Sequence, residues 1–351
     1  MKKLSLSVAL LCLAFLGAVP TEIAAQSRRG DGALPDLVVC SQNLFRLGAP
    51  MNSSSWKSRV SQRDLLIQRM HVARCDVVGV QEVFGENVTI ARHTLETFAK
   101  DLSAVTGRTY RAYVSDNRND QIRNGFLVLD SIRVEHVDIF KGSLPKLSVM
   151  GPPHGFTRDP IALLIQAPGL TRGSTKKLLI GNFHLKAKSG GWKDSSGLDF
   201  EPLRMEMAEA LRQWMLDGEK RHGRDTTVMI LGDRNSDDGS ATAEILRGAR
   251  ILPDFRENAG CRVTADLEPL CAPANSRPPA FIELLSALGD AKRQQQGSYR
   301  HRGRLEILDD ILIEVGDAWM VEGPDGSPRA GVEGSFGKGS DHKLVWAELR
   351  W

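Results

Sequence analysis

TVMILGDRNSD, residues 227–237, is an apolar run that stops at a glycine and then sets Asp233, Asn235 and Asp237 on alternate positions. Val228–Leu231 is long enough for a buried strand, and Gly232 lets the backbone turn where that strand leaves the core. Acidic and amide groups at the end of a buried strand are held rigidly, with water excluded on one side, as polar chemistry requires. Asp and Asn also cap turns routinely, so the stretch alone fits a strand and an Asx turn better than a site. The rest of the chain decides between the two.

The chain has 351 residues, 41% of them hydrophobic and 25% charged. That is the composition of a soluble globular protein with one large domain, or at most two. Its first residues stand apart. Lys2 and Lys3 precede an apolar run, Leu4–Val19, which Pro20 and Glu22 close before Ile23-Ala24-Ala25. This is the pattern of a secretory signal, with cleavage expected after Ala25. The run is short for a membrane anchor, and Leu11 precedes Cys12 where a lipoprotein site needs a small residue. Residues 1–25 are therefore expected to be a signal peptide, 26–35 a flexible leader and 36–351 a single domain without a membrane anchor. The exported chain is expected to be a monomer in the periplasm or the medium. The full chain carries a formal +3. Without the signal it is nearly neutral, so any contact with polyanions must come from local patches.

Of five cysteines, Cys12 leaves with the signal. Cys261 and Cys271 lie close together in a loop-like stretch, which favours a local disulfide. Cys40 and Cys75 abut apolar runs and read as buried thiols. Disulfides can form in an exported chain, and four cysteines allow three pairings. The absence of CxxC or histidine-rich spacing argues against zinc.

Apolar runs predict strands at Asp36–Ser41, Asp76–Val83, Tyr110–Val114, Phe126–Leu129, Ile161–Ala167, Lys177–Phe183 and Leu344–Trp351. Val134–Phe140 reads as a hairpin partner of Phe126–Leu129, and Arg304–Glu314 as one strand interrupted by Asp309-Asp310. Helices are expected over Arg59–Arg74, Val88–Val105, Pro202–Leu216, Ala241–Arg247 and Phe281–Gln296. In the first of these, Val60, Leu65, Ile67, Met70 and Val72 supply the buried stripe. Apolar strands flanked by amphipathic helices imply mixed sheets packed on one another with helices outside.

Polar residues recur at the strand ends. Asn43, Glu82, Asn124, His184, Asp233, Asn235 and His342 each border an apolar strand, and Asp309 lies inside one. A buried carboxylate in a strand is costly unless paired. Singly, each has a structural explanation: a satisfied core histidine, the first exposed residue after a strand, a bulge or a turn. Their joint arrangement carries the functional reading.

In chain order the motifs are SQNLFRLG (Ser41–Gly48), DVVGVQEV (Asp76–Val83), NGFLVLD (Asn124–Asp130), FTRDPIALLI (Phe156–Ile165), GNFHLKAK (Gly181–Lys188), ILGDRNSD (Ile230–Asp237), SYRHRGRLEILDDILI (Ser298–Ile313) and GSDHKLVWAEL (Gly339–Leu349). Their order and spacing resemble the endonuclease/exonuclease/phosphatase superfamily over nearly all of the exported chain. The QEV, GDxN and SDH elements together are specific, though each alone is weak. The resemblance implies a four-layer α/β sandwich, with two mixed β-sheets packed face to face, helices on both outer faces and the active site at one end. It implies a catalytic domain that hydrolyses phosphodiesters by metal-assisted in-line attack of water.

The same resemblance implies roles. Glu82 matches the main Mg²⁺ ligand, with Asn43 and Asp341 contributing directly or through water, and Mn²⁺ or Ca²⁺ as alternatives. A hard cation prefers such oxygen donors. Asp233 and Asn235 match the pair that orients water and holds phosphate oxygens. Asp309 and His342 match an Asp–His pair beside the scissile phosphate, and His184 the histidine that contacts phosphate or assists the leaving group. Asn124 and Arg158 match phosphate-contacting positions. Tyr299, Arg300 and Arg302 match a basic and aromatic approach to the site. The sequence departs from the pattern in three places. Phe45 stands where some abasic-site enzymes carry an acidic metal ligand. Asn124 stands where the secreted deoxyribonucleases place a carboxylate. Arg234 lies inside GDRN, pointing either inward to phosphate or outward to solvent.

Nucleic acid is the first substrate expected. Lys292, Arg293, Arg300, His301, Arg302 and Arg304, with Lys186, Lys188 and Lys193 beside His184, could follow a phosphate backbone, although a solvated basic face explains them equally. The alternative is a phosphatase or sphingomyelinase-like activity on a lipid or inositol phosphoester. A lipid would need apolar loops, and Trp56 and Trp192 are too few. A non-catalytic binding relative would lack key positions, and none is missing.

Overall fold

Val38–Cys40 and Val228–Leu231 are apolar at every position, so both faces of their strands must be covered. The computed structural model describes residues 34–351 apart from 49–53, 117–120, 148–154, 167–175, 190–193, 224, 290–291, 293–294, 302 and 338. The chain begins with β1 (Leu37–Leu47), α1 (Ser54–Ala73), β2 (Val77–Phe84), α2 (Val88–Thr106), β3 (Tyr110–Val114), β4 (Ile122–Leu129), β5 (Val134–Ile139), β6 (Ile161–Gln166) and β7 (Lys177–His184). It continues with α3 (Glu201–His222), β8 (Thr226–Asp233), α4 (Ala241–Arg247), β9 (Cys261–Val263), β10 (Pro269–Cys271), β11 (Phe281–Glu283) and β12 (Tyr299–His301). The last strands are β13 (Arg304–Glu306), β14 (Asp309–Glu314), β15 (Ala330–Glu333) and β16 (Leu344–Leu349).

Two six-stranded sheets result, ordered β15-β16-β1-β2-β4-β3 and β11-β14-β8-β7-β6-β5. Both are mixed: β1–β2 and β7–β8 are parallel pairs among antiparallel neighbours. Alternation along β8 shows what covers them. Met229 and Leu231 join the core that holds β1 and β2 together with Leu66 of α1 and Phe98 of α2. Val228 and Ile230 join a second core with Leu211 and Met215 of α3. A strand's side chains alternate in direction, so β8 lies between the other sheet and an outer helix layer. The expected four-layer α/β sandwich is the observed fold. No described helix is long and apolar enough to cross a membrane.

Polar bonds fix the register between the sheets. Gln81 of β2 donates through Nε2 to Asn182 Oδ1 of β7, at 2.7 Å. Asn182 Nδ2 donates back to Val80 O at 2.9 Å and Gly125 O at 2.7 Å. The sheets approach so closely here that a Cβ on Gly79 would fall 2.0 Å from Leu231 Cδ1.

Several expectations need correction. Cys40 and Cys75 are not thiols but a disulfide, with Cα atoms 5.9 Å apart. Cys40 is in β1 and Cys75 just precedes its parallel neighbour β2, where Val39 faces Val77, so sheet pairing brings together residues whose flanking apolar runs gave no hint of it. Cys261 and Cys271 are bonded as expected, across β9 and β10. Phe281–Gln296 does not open as a helix. Phe281–Glu283 pairs antiparallel with β14 at the sheet edge, and turns follow; this edge outweighs local helical periodicity. Val134–Phe140 is no partner of Phe126–Leu129, because β5 pairs with β6 in the other sheet. Arg304–Glu314 divides into β13, which forms a hairpin with β12, and β14. In α1 it is Leu66, Ile67, Met70 and Ala73 that are buried, while Leu65 is exposed.

Residues 1–25, nearly all of the leader 26–35, and Trp192, Lys193, Arg293 and Arg302 lie outside the described residues, as do the side chains of Trp56 and His301.

Replacing Asn182 with Ala removes its two donated bonds to Val80 O and Gly125 O and the acceptor that Gln81 Nε2 uses across the sheets. Stability should fall by roughly 2–5 kcal/mol, measured as the urea unfolding midpoint; a loss below 1 kcal/mol would show that these bonds do not hold the sheets.

Candidate active site

Strand register assembles half of the site. His184 of β7 lies beside Asp233 of β8, and Asp233 lies opposite Asp309 of β14, so three adjacent strands end in one row of ionisable side chains. All three are almost fully buried. Gly232 makes the row possible: its φ is +148° and a Cβ there would meet Phe183 O at 2.0 Å. Beyond it the chain turns back at Asn235, whose φ is +54°. The Asn235 N–H donates to Asp233 Oδ1 at 2.8 Å, and its Nδ2 to Leu185 O at 3.2 Å. The Asx turn is therefore real, and it leaves Asp233 Oδ2 to face the site.

The other sheet supplies the opposing wall. Pairing of β1 with β2 slips between Asn43 and Leu47, and Phe45, Arg46 and Glu82 take positive φ angles of 51°, 54° and 60°. Such strained positions cluster where a strand must re-aim a side chain. Asn43 Nδ2 donates to Asp233 Oδ2 at 3.0 Å, while its Oδ1 accepts the Phe45 N–H at 2.9 Å. Glu82 Oε1 lies 4.0 Å from His184 Nε2, which is 3.5 Å from Asp233 Oδ2.

His342 closes the arrangement from the segment before β16. Its Nδ1 contacts Asp309 Oδ2 at 2.6 Å. Its Nε2 is 3.8 Å from Asp233 Oδ2 and 3.9 Å from Asp341 Oδ1. The backbone is held on two sides: the His342 N–H donates to Ser340 Oγ, which donates to Asn43 O, and Arg69 Nη1 donates to His342 O at 2.7 Å. The Tyr299 ring covers the imidazole, with centroids 4.7 Å apart.

The two histidines sit in opposite charge states. Burial, aided by the charges of Arg158 and His342, pushes His184 well below the usual 6.5, so it is neutral. Burial also opposes charge on His342, but Asp309 and Asp233 outweigh it and lift the ring to about 10. Asp233 is raised to about 7, mainly by burial, with His342 pulling down and Asp309 pushing up. Burial raises Glu82 too, against the opposing charges of Arg158 and His342 and a hydrogen bond from Asn43.

Two groups could hold a cation. Asp233, Asp309 and His342 place ligand atoms within 4.8 Å of one another. There, however, the protonated imidazole already supplies the positive charge, and an imidazolium does not ligate a metal. Glu82, Asn43 and Asp341 offer oxygen donors instead. Glu82 is a half-buried carboxylate, and Asp341 Oδ1 is buried with no hydrogen-bond partner among the described residues. That donor set suits a hard divalent ion which keeps several waters.

The remaining expected residues fall around this centre. Asn124 is fully buried; its Nδ2 donates to Asp159 O at 3.1 Å and so holds the Arg158 turn. Arg158 donates through Nη1 to Leu185 O at 2.9 Å, the carbonyl that also takes Asn235. Arg234 fits neither expectation. It is buried beneath the site, donating to Ser236 O, Ile307 O and Glu283 Oε1, and it braces the ends of β8 and β14 without reaching phosphate or solvent. Lys188 is within 4 Å of Asp237 and Glu306, Lys292 pairs with Asp325, and Lys186 donates to the carbonyls of Ala187 and Ser189. Three lysines of the expected basic track are thus engaged within the protein.

Sequence reading missed Arg69, which resembles any charged residue of an exposed helix face, and Glu201. Glu201 is fully buried and accepts from Arg204, Ser236 Oγ and the Thr242 N–H, anchoring the turn after Asp233 to α3 and α4. An acidic residue in a first helical turn usually signals only the helix dipole.

No family model and no curated protein sequence matches the chain. Its fold does match solved structures. The truncated Caenorhabditis elegans TDP2 superposes with a TM-score of 0.53 at 14% identity, over 90% of this chain and 98% of that one. The human Nocturnin catalytic domain with bound sulfate does so at 0.51 and 14%, over 90% and 95%. A mannosyl-6-phosphatase of Bacteroides thetaiotaomicron gives 0.51 and 14%, over 90% and 100%.

Replacing Asp309 with Asn should return His342 towards 6.5 in an NMR titration. A raised histidine pKa stabilises the fold below the unfolded value, and the gain is lost as pH rises through the folded value. Wild-type thermal stability should therefore decline between pH 6.5 and about 10, and the decline should shrink in D309N. A His342 titration unaltered by D309N would disprove the assigned pairing.

Proposed function

We propose that this chain, which has the endonuclease/exonuclease/phosphatase fold, is an exported, metal-dependent phosphodiesterase acting first on nucleic acid. The observation that carries the reading is the placing of Asp233 Oδ2 between a neutral His184 and a cationic His342, with Asn43 and Glu82 opposite. Hydrolysis of a phosphodiester needs a base for water, positive charge for the equatorial oxygens and an acid for the departing oxygen.

These residues divide the work. Asp233, raised towards neutrality, is the base, and the Asn235 N–H on its Oδ1 orients its other oxygen. His342 is too firmly protonated to be the base; it supplies positive charge and a proton from Nε2, while Asp309 holds Nδ1. Neutral His184 donates from Nε2 to a phosphate oxygen. Arg158 adds fixed positive charge near Glu82 and His184. A cation held by Glu82, Asn43 and Asp341, most simply Mg²⁺, would neutralise phosphate charge when bound.

A small or lipid phosphoester is the second reading. It is supported by the mannosyl-6-phosphatase neighbour and by two exposed apolar side chains, Phe45 next to the Asn43 turn and Leu305 on the Tyr299 hairpin. Export is supported by the signal-like first 25 residues and by two disulfides, which belong to oxidising compartments.

The purified protein should hydrolyse bis(p-nitrophenyl) phosphate and plasmid DNA or RNA with Mg²⁺, and lose activity in chelator. Release of a head group from sphingomyelin or of phosphate from inositol phosphates, with nucleic acid left intact, would move the assignment to the second reading. Glu82→Ala and His342→Ala should each lower the rate by about two orders of magnitude or more; full activity in either would refute its role. Protein recovered after export should begin at Gln26, whereas an intact start at Met1 would rule out the signal.

A further inference from the structure

Beyond His342 lies a cluster that the proposed chemistry does not use. Arg300 follows Tyr299, whose ring covers His342, and Lys343 follows His342 itself. Their cationic ends converge on one aromatic ring: the Arg300 guanidinium carbon and Lys343 Nζ each lie 4.8 Å from the centroid of Phe336. The charges felt by Lys343 are those of Arg300 and Arg69 and, opposing them, the single acid Glu333. Arg69 is buried and donates to His342 O at 2.7 Å and to Ser335 O at 2.5 Å. One guanidinium therefore ties the base of Phe336 to the backbone of His342, fixing the ring relative to the reacting centre.

Three cations against one acid repel one another, and burial of Arg69 and part of Lys343 makes that repulsion stronger than in water. Cation–π attraction to Phe336 offsets some of it, and a dianion held by exposed Arg300 and half-buried Lys343 would offset the rest. Arg offers a planar fork and Lys a compact point charge, a pairing suited to a phosphate approached from two sides.

We infer that Arg300 and Lys343, gathered on Phe336 beside His342, form a subsite for a second phosphate of the substrate, linked covalently to the one that His342 handles. The inference rests on the phosphodiesterase reading and narrows it to substrates with more than one phosphate. Two sources share that chemistry: the next phosphate along a nucleic-acid strand, and a neighbouring phosphate on a polyphosphorylated small molecule.

The test is equilibrium binding, which needs no turnover. Calorimetry with the exported chain would compare thymidine 5′-monophosphate, thymidine 3′,5′-bisphosphate and inositol 1,4-bisphosphate. The wild type should bind at least one bisphosphate about tenfold more tightly than the monophosphate. The double variant R300Q/K343Q should lose that preference, and R300K/K343R should keep most of it, with all three proteins sharing a thermal midpoint. A preference for the nucleotide assigns the subsite to a nucleic-acid strand, and a preference for the inositol compound to a polyphosphorylated small molecule. Equal affinities in the wild type, or a preference that persists in R300Q/K343Q, would overturn the subsite. Failure of the phosphodiesterase reading would show separately, as no hydrolysis of bis(p-nitrophenyl) phosphate.

Discussion

Two apolar sheets laid face to face attract each other without choosing a register, because the hydrophobic effect has no direction. In this protein the choice is made by the buried amides of Gln81 and Asn182, which bond to each other and to the carbonyls of Val80 and Gly125. Burial makes these bonds exacting, since any slip would leave several polar groups unsatisfied in the core. Gln81 precedes Glu82, and Asn182 lies two residues before His184. The bonds that set how the sheets meet therefore also set how far Glu82 stands from His184.

The electrostatics repeat this division at the rim. The sheet of β7, β8 and β14 supplies carboxylates that cannot all be charged alone, and the sheet of β1 and β16 supplies the imidazolium that lets them be. Asn43 adds a neutral donor from the same side. His342 thus serves two levels of structure. It compensates charge among buried carboxylates and joins the two sheets at the end that carries the candidate site. Arg69 secures it from behind through its carbonyl.

What was legible in the sequence follows from range. Apolar runs such as Val228–Leu231 announce their strands because burial on both faces demands it, and the order of the motifs announces the sandwich. Asp233, His184 and Asp309 could be picked out as polar residues at or within apolar strands, yet their row exists only in the register of β7, β8 and β14. Long-range pairing hid the rest. The partner of Cys40 depends on which strand lies beside β1. Phe281–Glu283 carries helical periodicity but meets a sheet edge. Arg234 occupies a motif position and is turned away by Glu283, which lies far along the chain. Arg69 and Glu201 read as surface charges until the elements they brace are known.

The position of β16 has a consequence for biogenesis. The first sheet places β1 between β2 and β16, so the strand nearest the start of the domain waits for one near its other end. Leu37 to Ser41 face Leu349 to Val345, and the Asp36 N–H donates to Leu349 O. Until β16 emerges, β1 presents an unpaired edge on that side. A nascent chain of this topology keeps that edge open through most of its synthesis. Closure of the sheet and completion of the site then become a single late event.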